Sequence, residues 1–235
     1  MIEFNSFICG DCMDYLQHFP DKYFDIAIVD PPYFSGPEKR GFYGRKVSPI
    51  GVQRHYDSSD NWEIPTKNYF DELFRVSKQQ IIWGCNYFDY YFGSGRIIWD
   101  KCNGNNDFSD CEIAFCSLHD SVRLFRYMWN GMFQGKSIEE GHIQQENKKL
   151  NEKRIHPTQK PVNLYRWLVQ RYIKPEWTVL DTHVGSASSL IAYEEAKIPY
   201  IGFEKNQHNY VLANKRLQEF KAQITLWDCG VERRC

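Results

Sequence analysis

Short runs of apolar, often β-branched residues interleave with stretches of helical amphipathic spacing, and no other feature of the sequence narrows the fold as far. The runs are Phe4 to Cys9, Phe24 to Val29, Gln80 to Trp83, Arg96 to Asp100, Glu112 to Cys116, Thr178 to Asp181 and Tyr200 to Phe203. Runs without polar alternation mark strands buried on both faces, so the pattern predicts an α/β fold with a mostly parallel, seven-stranded sheet covered by helices. Helices are expected over Cys12 to His18, Lys67 to Val76, Val162 to Ile173, Ser186 to Ala196 and Gln207 to Phe220, with Pro161 and Asn206 suited to helix starts. A chain of 235 residues holds one sizeable α/β core and a small insertion, and is too short for two full catalytic domains.

Two stretches fit no regular element, Ser35 to Pro65 and Asn130 to His156, and each exceeds an ordinary connection. Charge singles out overlapping segments. Residues 121–174 carry 11 basic and 4 acidic side chains and residues 34–56 carry 5 and 1, although the net charge of the chain is only -1. An acidic body with two basic, aromatic-studded segments suits local binding of a polyanion. The candidates are Lys39, Arg40, Arg45, Lys46 and Arg54 in the first segment, and Arg123, Arg126, Lys136, Lys148, Lys149, Lys153 and Arg154 in the second. Solvated loops are the alternative. No export signal or apolar span of membrane length is present, so a cytoplasmic protein that uses no membrane is expected, with its 8 cysteines reduced. Cys9-Gly-Asp-Cys12 has no second C-x-x-C partner, and no metal is expected.

The strand Phe24 to Val29 runs directly into Asp30-Pro31-Pro32-Tyr33. That places a carboxylate, a stiffened turn and an aromatic ring at a strand's carboxyl end, where open α/β sheets bind ligands. Pro32 lacks a backbone donor, so the Pro31 carbonyl can act as an acceptor beside Asp30. Two acceptors and a stacking ring suit an exocyclic amine on an amino-purine; a proline turn that merely ends the strand is the bland reading.

Asp30-Pro31-Pro32-Tyr33 resembles the catalytic motif of S-adenosylmethionine-dependent methyltransferases acting on adenine N6 in DNA. His156-Pro157-Thr158-Gln159-Lys160-Pro161 resembles the segment opening the first cofactor-side helix in the permuted, beta-class members. Val179-Leu180-Asp181-Thr182-His183-Val184-Gly185-Ser186-Ala187-Ser188 is similar to their cofactor loop, Ile201-Gly202-Phe203-Glu204 to the strand with an acidic ribose ligand, and Phe7-Ile8-Cys9-Gly10-Asp11 to the strand that reaches the cofactor adenine. The motif order implies a circularly permuted Rossmann-like methyltransferase fold. On this resemblance residues 1–235 form one domain, with a catalytic half at 1–118, a target-recognition insertion at 119–155 and a cofactor-binding half at 156–235.

The resemblance implies S-adenosylmethionine as cofactor and DNA as partner, with the target adenine flipped out of the duplex onto Tyr33. Asp30 and the Pro31 carbonyl accept the amine hydrogens, and Asp30 also borders the cofactor. Glu204 takes the ribose hydroxyls, with Lys205 and Asp11 nearby. Gly185 and Ser186 open a helix toward the methionine carboxylate, Asp181 meets the ammonium, and Thr158, Gln159 and Lys160 hold the methionine end. Thr182-His183 replaces the usual Pro-Phe, and His183 either touches the cofactor or fills the loop. Ala187 replaces a glycine, which costs little at helical φ but is strained at positive φ. Cytosine N4, RNA adenine or protein glutamine as the accepting amine, and a silent nucleic-acid-binding module, are the other readings; monomer and homodimer both stay open.

Overall fold

The computed structural model describes residues 2–33, 62–104, 109–130, 133–156 and 158–231. Eight strands form the main sheet: β1 (Ser6–Cys9), β2 (Phe24–Val29), β3 (Ser77–Trp83), β4 (Arg96–Asp100), β5 (Cys111–Cys116), β6 (Val122–Arg126), β9 (Val179–Asp181) and β10 (Tyr200–Glu204). Between β6 and β9 a two-stranded ribbon adds β7 (Trp129–Asn130) and β8 (Phe133–Gln134). The main sheet has the order β1-β10-β9-β2-β3-β5-β4-β6. All pairings are parallel except the two made by β5, which runs against its neighbours β3 and β4.

The strand interiors explain why the sheet is covered twice. Ile26 and Ile28 of β2 face one apolar layer and Ala27 and Val29 the other, all at most 1% exposed. Against the first layer pack α3 (Val162–Tyr172), α4 (Ser188–Ala196) and α5 (Gln207–Val231); against the second pack α1 (Cys12–Leu16) and α2 (Lys67–Val76). Each isoleucine or leucine removed from water there contributes roughly 1.5–3 kcal/mol. Asp11 caps α1 by accepting from the Met13 amide, and Asn206 accepts from the Asn209 amide at the start of α5.

The seven expected strands are present, and the sheet has one more than the sequence pattern indicates. β6 is Val-Arg-Leu-Phe-Arg, an edge strand of which only Phe125 is buried, so its charges hide its period among the basic residues around it. The ribbon β7–β8 lies in the stretch that read as irregular. α4 starts at Ser188, after the expected Ser186, because Ala187 takes a left-handed conformation at its N-cap. No helix among the described residues is long and apolar enough to cross a membrane.

Chain direction sets the functional edge. The parallel strands β1, β10, β9 and β2 all finish on one side, delivering Asp11, Glu204, Asp181 and Asp30 at or just beyond their carboxyl ends. From β9 the chain proceeds outward to β10, while from β2 it proceeds the other way to β3, so the crevice between β9 and β2 is a topological switch point.

Candidate active site

A cavity of about 1330 Å³ opens at this edge and is bordered by Asp11, Asp30, Tyr33, Lys160, His183, Gly185 and Glu204, among others. At one end Asp30 is wedged among charged groups. The Lys160 ammonium lies 2.5 Å from Asp30 Oδ2, 2.8 Å from Glu112 Oε2 and 2.9 Å from the Tyr33 hydroxyl. Tyr33 donates its own hydroxyl to Asp30 Oδ1. Beyond Glu112, Lys101 closes the row at 2.5 Å. Burial and the neighbouring Glu112 charge push the Asp30 carboxyl up, with Lys160 opposing. Burial also pushes Glu112 up, but the two ammoniums outweigh it and bring it down to about 2.

The Tyr33 ring needs Gly84. That residue sits at φ +69, and a Cβ on it would come within 2.1 Å of the ring. Tyr87 stacks on Tyr33 with centroids 5.1 Å apart and planes 8° from parallel, and is itself 53% exposed at the cavity. Pro31 and Pro32 border the same space.

At the other end two carboxylates, Glu204 and Asp181, are held by neutral donors. Glu204 accepts from the Gly185 and Asn206 amides, both at 2.9 Å, and burial raises its carboxyl. Asp181 accepts from the His183 amide at 3.1 Å and the Ser189 hydroxyl at 2.5 Å, and burial, with the charges of Asp30 and Glu204, pushes it up to about 7. Asp11 and Glu63 share Lys205, at 3.0 and 2.9 Å. His183 borders the cavity, bonds to Thr182 at 2.9 Å and packs edge-on against Tyr69; burial lowers its pKa to about 4, so it is neutral.

The helix start expected at Gly185 and Ser186 is corrected, while Thr158, Gln159 and Lys160 all border the cavity. Gly185 and Ser186 precede α4 and do not open it, and the Gly185 amide is committed to Glu204. Ala187 has φ +60 and is fully buried, so the strained alternative is the one realised. Gln159 turns into the insertion: it accepts from the Ile155 amide and donates to Glu152 and the Lys153 carbonyl. Thr158 bonds to His156 at 3.1 Å, and His156 stacks on Trp62. Lys160, read as a methionine-end group, has its ammonium in ion-pair contact with Asp30 and Glu112 and donates to the Tyr33 hydroxyl.

The basic candidates among the described residues have different surroundings. Arg126 pairs with Asp100 and Lys136 with Glu140, while Arg123 borders a separate hollow with Arg171 and Trp167. Lys148 and Lys149 lie exposed on a 3-10 turn and Lys153 is exposed beside them. Arg154 borders the main cavity, its guanidinium 4.2 Å over the Trp129 ring. Lys39, Arg40, Arg45, Lys46 and Arg54 lie outside the described residues, as does Pro157.

Glu112 and Lys101 are the members of the site that sequence reasoning missed. The available signal was a carboxylate opening an otherwise apolar strand, with a lysine just past the end of the strand before it.

A family model described as DNA methylase, of the N6/N4 methyltransferase type, matches residues 24–215. The chain is 24% identical over 250 residues to the Type II methyltransferase M.HinfI of Haemophilus influenzae, across 92% of this chain and 69% of that one. It is 25% identical over 240 residues to the Type II methyltransferase M2.MboI of Moraxella bovis, across 89% and 86%. Among solved structures, the M1.HpyAVI-SAM complex superposes with a TM-score of 0.55 at 17% identity, over 90% of this chain and 99% of that one. The cytosine-N4-specific PvuII DNA methyltransferase superposes with a TM-score of 0.54 at 13% identity, over 93% and 92%. The structural likenesses establish a methyltransferase fold; the family match is independent of them and runs from β2, which ends at Asp30, past the Glu204 strand. The chain therefore belongs to the DNA methylase family.

Proposed function

We propose that the chain transfers a methyl group from S-adenosylmethionine to the N6 amine of adenine in DNA. One observation carries the reading: Asp30, at the end of β2, and Glu204, at the end of β10, open into the same cavity across the switch point. The fit to the cofactor rests on donor chemistry. Asp181 is a buried carboxylate and Glu204 a half-buried one, and the partners of both are neutral, so both keep acceptor capacity for ribose hydroxyls and for an ammonium group. When bound, S-adenosylmethionine supplies an already activated sulfonium methyl.

The work left to this chain is to position a weak nucleophile. The adenine amine is a poor one because its lone pair is delocalised into the ring. Hydrogen bonds from that amine to Asp30 and the Pro31 carbonyl favour a pyramidal nitrogen, and the proton released after transfer is received at Asp30. Tyr33 offers the stacking ring for a base taken out of the duplex, which requires it to part from Tyr87. Exposed Lys148, Lys149 and Lys153 offer phosphate contacts.

The test is Asp30→Ala. Methyl transfer to DNA is expected to fall by on the order of 100-fold or more, with S-adenosylmethionine affinity by calorimetry nearly unchanged. Turnover close to the native rate would overturn the assignment.

A further inference from the structure

Glu112 lies outside every motif from which the site was read, yet it stands at the middle of a row of alternating charges, Lys101, Glu112, Lys160 and Asp30. The reversed direction of β5 brings it there. Because β5 is antiparallel, its first residues lie beside the last residues of β4, with Glu112 in register with Trp99, and so reach the edge where the parallel strands finish. We infer that Glu112 is a positioning residue for methyl transfer: braced by Lys101, it fixes the Lys160 ammonium against Asp30 and keeps the Asp30 carboxylate in place on the cavity wall. The inference rests on Asp30 being the group that meets the substrate amine.

Geometry supports it at each link. Lys160 is 5% exposed, and its flexible four-carbon stem would let the ammonium rotate if only Asp30 held it. Glu112 supplies a second anchor at 2.8 Å, and Lys101 at 2.5 Å holds Glu112 by its other oxygen. Two carboxylates and two ammoniums leave the row neutral overall, so its burial is compensated; removing one member strands an unpaired charge. Without the Glu112 carboxylate, Lys101 and Lys160 would face each other as like charges, and Asp30 would keep its oxygens but lose their orientation.

The groups that face Asp30 are Tyr33 from its own loop, Lys160 ahead of α3, Glu112 on β5, Tyr165 on α3, Asp181 on β9 and Tyr69 on α2. Burial and Glu112 push Asp30 up while Lys160 pulls it down. Removing Glu112 therefore moves the acid limb of the rate profile to lower pH, and removing Lys160 moves it to higher pH. Opposite displacements from two neighbours are a signature that general destabilisation does not produce.

The experiment compares Glu112→Gln, Lys160→Met and Asp30→Ala in single-turnover methylation of duplex DNA across pH, alongside calorimetric titration with S-adenosylmethionine. Glu112→Gln is expected to bind the cofactor normally and to lose roughly 10- to 100-fold in single-turnover rate, with its acid limb lower and that of Lys160→Met higher. A native single-turnover rate in Glu112→Gln, or a slower rate with an unmoved acid limb, would overturn the inference. Should Glu112→Gln fail to fold, Lys101→Met reads the row from its far end; its single-turnover rate is expected to fall with cofactor affinity unchanged, and a native rate would overturn the inference. Asp30→Ala separates the two levels. Turnover there sinks the functional reading itself, whereas an inert Asp30→Ala beside a fully active Glu112→Gln sinks only the role of Glu112.

Discussion

At one end of the cavity Glu204 and Asp181 are held by backbone amides and a serine hydroxyl, whereas at the other end Asp30 and Glu112 are held by lysine ammoniums. The difference matches what each end has to meet. Carboxylates with neutral partners have no counter-charge beside them and keep free acceptor sites, and the cofactor brings cationic groups and hydroxyls to meet them. Carboxylates already neutralised by ammoniums offer fixed acceptors without excess charge, which suits a neutral exocyclic amine. The first end selects and holds; the second aligns.

Glu204→Ala breaks the comparison from the binding side. Each charge-assisted hydrogen bond is worth about 1.5–3 kcal/mol, so S-adenosylmethionine should bind roughly 10- to 150-fold more weakly. The rate at saturating cofactor should stay near native, and calorimetry with single-turnover kinetics checks both. A large rate loss at saturation would mean that the two ends do not divide the labour in this way.

Titration sharpens the comparison further. The Asp181 carboxyl is raised to about 7 by burial, so it is ionised above that pH and neutral below it. If it meets the methionine ammonium, affinity should weaken as pH falls through about 7, approaching a tenfold loss per pH unit. Asp181→Asn should remove that dependence. Isothermal titration at several pH values decides the point, and a flat profile in the native protein would assign Asp181 to holding the loop alone.

Ala187 carries the smallest expected effect. Relieving a left-handed alanine with Ala187→Gly returns about 1–2 kcal/mol. Losing its buried methyl costs about 0.8 kcal/mol, and the added freedom of glycine in the unfolded chain costs about 0.5–1 kcal/mol. These terms nearly cancel, so urea denaturation should show a shift below about 1 kcal/mol. A large stabilisation would show that the loop stores strain the surrounding contacts do not offset.

The end built by Glu204 and Asp181 was legible in the sequence because its pieces are local: a strand, then an acid or a loop, as in Ile201 to Glu204 and Val179 to Ser188. β2 running into Asp30-Pro31-Pro32-Tyr33 was legible for the same reason. The charged row was not, since residues 101, 112 and 160 come from three separate segments, and the reversed β5 brings Glu112 to the edge where Lys160 meets Asp30. Lys160 was recognised by its motif, but its contacts with Asp30 and Glu112 were not legible on the same account: the motif indicates which edge it reaches but not which carboxylate waits there. β6 was hidden by the exposure of Val122, Arg123, Leu124 and Arg126, which leaves one buried residue to announce a strand. Ala187 shows the limit of local reading from the other direction, because its identity favoured a helical φ and the turn into α4 imposed the opposite sign.

The reaction itself is tested most directly by its product. The native chain is incubated with duplex DNA of mixed sequence and methyl-labelled S-adenosylmethionine, the DNA is digested to nucleosides, and the label is located by chromatography with mass spectrometry. The expected result is label in N6-methyldeoxyadenosine alone, absent when Asp30→Ala replaces the native chain. Label in N4-methyldeoxycytidine, or no labelled nucleoside from a protein that binds the cofactor and DNA, would contradict adenine-N6 methylation as the function of this site.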